Sequence, residues 1–200
     1  GYSRLVNNRW GTFPGISAGW VFSKESFMRE FGDIISFGKL RTSYGLNGNV
    51  SGIGAYELQG SYVASTKYNG LATFVLGSVP NPDLRWEKTR TFEVGLDLSY
   101  LNNRYSTNFT FYDRLTSDKF ATLSLPSSSG ISGIRTNNGE FRNRGVEIEL
   151  SATPIQNTNW YWNIGANISY NKNTVVSLPY NGLPLNRQGG FQVYSGKDKT

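Results

Sequence analysis

The feature that most constrains this chain is a two-residue alternation that runs too long for an ordinary soluble strand. From Leu84 to Tyr100, one parity holds Trp86, Phe92, Val94, Leu96, Leu98 and Tyr100. The other holds Glu87, Thr89, Thr91, Glu93, Gly95, Asp97 and Ser99. Successive strand side chains point to opposite faces, so the spacing predicts a ribbon with one apolar and one polar side. Extended at ~3.3 Å per residue, the stretch would reach about 55 Å. Soluble strands usually run about 5–6 residues, and a bilayer crossing takes about 9–11 tilted ones.

The same parity recurs along the chain. Ile16, Ala18, Trp20 and Phe22 alternate with Ser17 and Gly19. Leu40, Thr42, Tyr44 and Leu46 stand against Lys39, Arg41, Ser43, Gly45 and Asn47. Tyr105, Thr107, Phe109 and Phe111 oppose Ser106, Asn108, Thr110 and Tyr112. Val146, Ile148, Leu150 and Ala152 oppose Glu147, Glu149 and Ser151, and Trp160 through Tyr170 repeats the pattern. Between the first two alternating segments, Phe27, Met28 and Phe31 fall at helical spacing. This predicts one short helix near 24–31 with Ser23 as its N-cap. The expectation is an all-β antiparallel meander of about five strands, with short turns at 101–104 and 154–159. Long polar connections at 48–82, 115–141 and 172–200 are expected together at the other end.

Composition removes several functions. Charged residues make up 17%, against a usual share of roughly 25%, while Gly numbers 23, Phe 12, Tyr 12 and Trp 5. With His 0 and Cys 0 there is no Ser-His-Asp triad, His-bound zinc or disulfide framework within these residues. No cofactor or metal is expected. The net charge of +6 is scattered and forms no dense basic run, so no nucleic-acid partner is expected. Gly52-Ile53-Gly54 lacks the rest of a dinucleotide fingerprint. No run of about 18 apolar residues exists to make a spanning helix. The start at Gly1-Tyr2-Ser3, without Met or a signal peptide, reads as a cut from a longer chain.

Alternation fits two architectures. In a soluble β-sandwich, for instance a carbohydrate-binding module, the apolar face is a core. In a transmembrane barrel it meets lipid and the polar face lines a lumen. The barrel is favoured by the rings beside the short turns. Tyr100 and Tyr105 flank 101–104, and Trp160 and Trp162 follow Asn159, as in an interfacial girdle.

Arg9-Trp10-Gly11-Thr12-Phe13-Pro14 with Ser17-Ala18-Gly19-Trp20 resembles a stretch of SusC/RagA-type TonB-linked outer-membrane receptors. Further similar motifs follow in order: Glu25-Ser26-Phe27, then Lys39 through Gly45 ending in Gly48-Asn49, then Asn81-Pro82-Asp83-Leu84-Arg85-Trp86-Glu87. Glu93 through Asp97, Tyr112-Asp113 with Thr116, and Asn143-Arg144-Gly145-Val146-Glu147 complete the set. The resemblance implies a partial transmembrane β-barrel, from the C-terminal half of a parent of about 22 strands. Residues 1–200 would form one partial barrel domain without a plug. It further implies import of glycan oligosaccharides or peptides across a Bacteroidetes-type outer membrane. A SusD-like surface lipoprotein would be the partner, and TonB would act through the plug. No enzyme is expected.

On this reading Lys39, Arg41, Glu93, Asp97, Glu147 and Glu149 face the lumen, there to bias passing solutes or to dock the plug. Glu147 and Glu149 sit about 7 Å apart along the backbone, within the range of glycosidase carboxylate pairs, but alternation alone explains their placement. Tyr56, Tyr62, Tyr68 and Phe74, among Gly, Ser and Asn, are candidate ligand contacts in the 48–82 loop. Tyr100, Tyr105, Trp160 and Trp162 are the girdle, and Lys88 and Arg90 share the apolar parity near the long-loop end.

Overall fold

The computed structural model describes residues 10–53, 60–125, 127–131, 133–178, 187–188 and 191–192. Its strands are β1 Gly15–Trp20, β2 Ile35–Asn49, β3 Ser61–Tyr68, β4 Leu71–Ser78, β5 Glu87–Tyr100, β6 Tyr105–Ser124, β7 Gly133–Gln156 and β8 Tyr161–Ser177. Two short strands follow, β9 Arg187–Gln188 and β10 Phe191–Gln192. Six of these make one antiparallel sheet in the order β1-β2-β5-β6-β7-β8, so the meander has six strands where five were expected. β3 and β4 form a separate hairpin.

Register follows from parity. Lys39 stands opposite Asp97, Asp97 opposite Asn108, Asn108 opposite Glu149, and Glu149 opposite Asn167. A slip of one residue anywhere would carry a polar row into the apolar face, so the alternation fixes the pairing.

Several connections differ from expectation. β6 and β7 run 20 and 24 residues, so most of 115–141 is paired strand. β8 likewise continues to Ser177. The 48–82 connection contains the β3–β4 hairpin, turned at Asn69-Gly70, where both residues have positive φ. Asn and Gly tolerate that left-handed backbone, and it suits the twist of a tight hairpin. The expected helix is a pair of 3-10 turns, Phe22–Lys24 and Ser26–Phe31, preceded by Val21 and Glu25; Ser23 is not a cap. This connection lies at the same end as 101–104, where Leu101 N–H donates to Ile34 O at 2.9 Å, while the 48–82 and 115–141 connections leave the sheet together at the opposite end, as expected.

Neither broad face carries a second sheet among the described residues. The largest side chains buried outright are Leu84, 1% exposed, and Val175. Leu84 and Trp86 pack with Phe13, Val50, Ile53 and Phe120 at the end remote from the short turns. Trp86 therefore precedes β5 and belongs to this small core, not to the strand's apolar row.

Candidate functional site

The polar face is a tied wall. From β2, Arg41 lies across Gly95 of β5 and reaches β6. Its Nε donates to Asp97 Oδ1 at 3.2 Å and its Nη2 to Thr110 Oγ1 at 2.6 Å. Any Cβ at position 95 would collide with the guanidinium, so the glycine makes room for the crossing. One strand further on, Tyr112 covers Gly145 and donates its hydroxyl to Asn171 Oδ1 at 3.2 Å. Arg114 stacks on the Tyr112 ring at 4.6 Å and donates to Glu93 Oε1 at 2.8 Å. Asn108 donates to Glu149 Oε2 at 3.4 Å. These ion pairs are half exposed, where such a pair contributes about 1 kcal/mol or less, so they orient side chains more than they hold the sheet.

All six expected wall residues share this face. Arg41, Asp97, Glu147 and Glu149 line a concavity of ≈ 870 Å³ with Asn108, Thr110, Asn167 and Ser169. Lys39 and Glu93 join Arg41 and Ser43 around an adjoining hollow. Lys39 is in register with Asp97, but Asp97 pairs with Arg41 instead. The Tyr112–Arg114–Asn171 platform was missed, although Gly145 at a polar-face position beside a large ring was its signal in the sequence.

The opposite face is apolar and open. Ile16 is 74% and Ile168 60% exposed, and Phe92, Leu150 and Ile164 are also exposed. A sandwich core would bury these residues, whereas here they stand open. At the short-turn end Tyr100 pairs directly with Tyr105, and Trp162 faces Ile155. Trp160 lies in the turn just before β8. Trp20, Phe22 and Phe27 extend this ring cluster, with centroids 5.9 and 6.3 Å from Trp20.

Of the loop aromatics, Tyr62, Tyr68 and Phe74 stand exposed on the β3–β4 hairpin, Tyr68 at 79%. Tyr56 lies outside the described residues. The base of this loop is anchored by amides. Asn137 accepts from Arg85 N–H at 2.8 Å and donates to the carbonyls of Arg85 and Asp118, while Asn81 donates to Arg135 O. Buried Glu87 accepts from Phe120 N–H and Asn49 Nδ2, both at 2.9 Å.

A six-stranded sheet with one apolar and one polar face, and no second sheet over either among the described residues, has the form of a strand-built membrane wall. Comparison supplies the family. Residues 2–193 match the family model described as TonB dependent receptor-like, beta-barrel, and the chain belongs to that outer-membrane receptor family. It is 38% identical over 179 residues to TonB-dependent receptor P39 of Formosa agariphila, covering 89% of this chain and 17% of the relative. It is 31% identical over 179 residues to TonB-dependent receptor SusC of Bacteroides thetaiotaomicron, covering 86% of this chain and 18% of SusC. The fold superposes on the RagAB peptide transporter with a TM-score of 0.80 at 30% identity, covering 92% of this chain and 21% of that one. The chain thus spans less than a fifth of the curated relatives it matches.

Proposed function

We propose that this chain is a stretch of barrel wall in a TonB-dependent importer that takes up glycan oligosaccharides or other nutrients with a SusD-like surface lipoprotein. The observation that carries the reading is the sorting of the two faces, apolar side chains open on one and a tied polar network on the other. The apolar face meets acyl chains between the ring girdle and the long-loop end. The polar face borders a wet interior, with residues 1–200 supplying wall and no plug. TonB acts through that plug, and the lipoprotein lids the barrel near the β3–β4 hairpin.

Lys39, Arg41, Glu93, Asp97, Glu147 and Glu149 set the charge that the plug or a passing solute meets. Tyr62, Tyr68 and Phe74 offer flat apolar faces to sugar rings or to the lid. The likeness to RagAB, described as a peptide transporter, supports peptides as a second substrate class. The test is uptake of labelled oligosaccharides and labelled peptides by cells carrying the full receptor and its lipoprotein. Uptake of one class should vanish when the receptor, the lipoprotein or TonB is deleted. Unchanged uptake of both classes in all three deletions would refute the reading.

A further inference from the structure

We propose that the outward face carries a binding site for phosphate-bearing lipid headgroups of the outer leaflet, built from Arg90, Arg142, Arg144 and Lys172 around Asp113. The inference rests on the reading that the apolar face meets lipid. Register shows how abruptly that face changes. Val94, Phe111, Val146 and Tyr170 stand abreast on β5 to β8. The next row toward the long loops is Phe92, Asp113, Arg144 and Lys172, and the one after is Arg90, Leu115, Arg142 and Thr174. Hydrocarbon thus gives way to cations within a step of about 7 Å along the strands.

The acid inside the cluster organises it. Arg142 Nε donates to Asp113 Oδ1 at 2.8 Å and Arg144 Nε to Asp113 Oδ2 at 2.9 Å. One carboxylate shared by two guanidiniums leaves the trio positive and holds the two forks side by side. Arg142 also donates its Nη2 to Asp113 Oδ2, so its Nη1 and the Nη groups of Arg144 are the donors that remain for a phosphate, which guanidinium geometry can match bidentately. Arg90 lies two strands from Arg142 in the same row, about 10 Å away, which spans a headgroup.

Among the described residues of β5 to β8, the opposite margin of the apolar face has no such cluster. There the outward row reads Tyr100, Tyr105, Ala152 and Ile164, and nearby Arg104 is committed to the carbonyls of Thr153 and Pro154. A lipid whose chains cover Phe111, Val146 and Tyr170 would carry its phosphates to the height of the arginines. Charge complementarity and continuity with the lipid-facing surface therefore favour this occupant over an acidic protein.

The test uses the full receptor in detergent micelles and native mass spectrometry. The probes are a phosphorylated glucosamine-disaccharide lipid and the same lipid with its phosphates removed. The phosphorylated form should be retained about tenfold more tightly, and R90Q/R142Q/R144Q/K172Q should abolish that difference. R90Q/K172Q, which leaves the Asp113 pairing intact, should reduce it about threefold, while K24Q/K67Q should leave it unchanged. Undiminished preference in either cluster variant would overturn the proposal, as would displacement of the lipid by inorganic phosphate or an acidic peptide at equal concentration. Acyl-chain quenching of a label on Ile148→Cys is read in the same samples. Failure there indicts the face assignment; quenching without a phosphate preference indicts the site alone.

Discussion

The lower part of the sheet and its upper extension solve different problems. From just above the short turns, past the register shifts at Ile35/Phe37 and Ala152/Ile155, up to about Phe92, Asp113 and Arg144, the pairing runs unbroken and parity sorts the side chains. No interior is needed there because each face meets its own solvent. Above that level the pairing is interrupted. β6 and β7 shift register around Lys119, where Asp118 has a positive φ. Such bulges bend a strand and re-aim its side chains. The extension is held by a buried apolar knot of Leu84 and Trp86 and by amide clamps from Asn81 and Asn137. The difference teaches that a wall in lipid is specified by alternation, whereas the part standing in water needs a core and local hydrogen bonds like any soluble fold.

Four substitutions in the full receptor sharpen that contrast. Leu84→Ala should have the largest effect, about 2–5 kcal/mol on the extension, seen as early protease cleavage within 48–82 while the barrel's melting holds. If the whole barrel melted with it, the two regions would not be separable. Ile148→Arg should do the reverse, costing about 2–4 kcal/mol of barrel stability in bilayers and leaving the loop's protease resistance intact. Gly145→Val places a Cβ about 2.5 Å from Tyr112 Oη and Tyr170 O. It should cost about 1–3 kcal/mol and expose Tyr112, as read by its fluorescence and by barrel melting. Arg41→Ala should shift stability by about 1 kcal/mol or less, since its partners are half exposed. A loss above 2 kcal/mol would make the polar network a structural core.

Much of the lower wall was legible because lipid and water impose opposite demands on alternate residues. Lys39, Arg41, Glu93, Asp97, Glu147 and Glu149 could be placed on one face from parity alone. Their partners could not, because Arg41 reaching Thr110 over Gly95 depends on three strands meeting. The extension was misread for a physical reason. Above the membrane both faces meet water, so 115–141 loses its apolar contrast while its backbone stays paired, and a polar strand reads as a loop. The Asn69-Gly70 turn was a local signal for β3–β4 that the Gly- and Ser-rich surroundings obscured. The 3-10 pair at 22–31 kept the expected spacing of Phe27, Met28 and Phe31 but not the Ser23 cap.

The sorting of the two faces is tested most directly by depth and access measurements at adjacent residues. These 200 residues hold no cysteine, so Ile148→Cys and Glu147→Cys, or Ile168→Cys and Ser169→Cys, can be labelled one at a time in proteoliposomes of a full receptor whose other cysteines are replaced by serine. Labels at 148 and 168 should be quenched by spin-labelled acyl chains and shielded from an aqueous quencher, with the opposite result at 147 and 169. Equal response of neighbouring positions, or quenching by acyl chains at 147 and 169, would contradict the account.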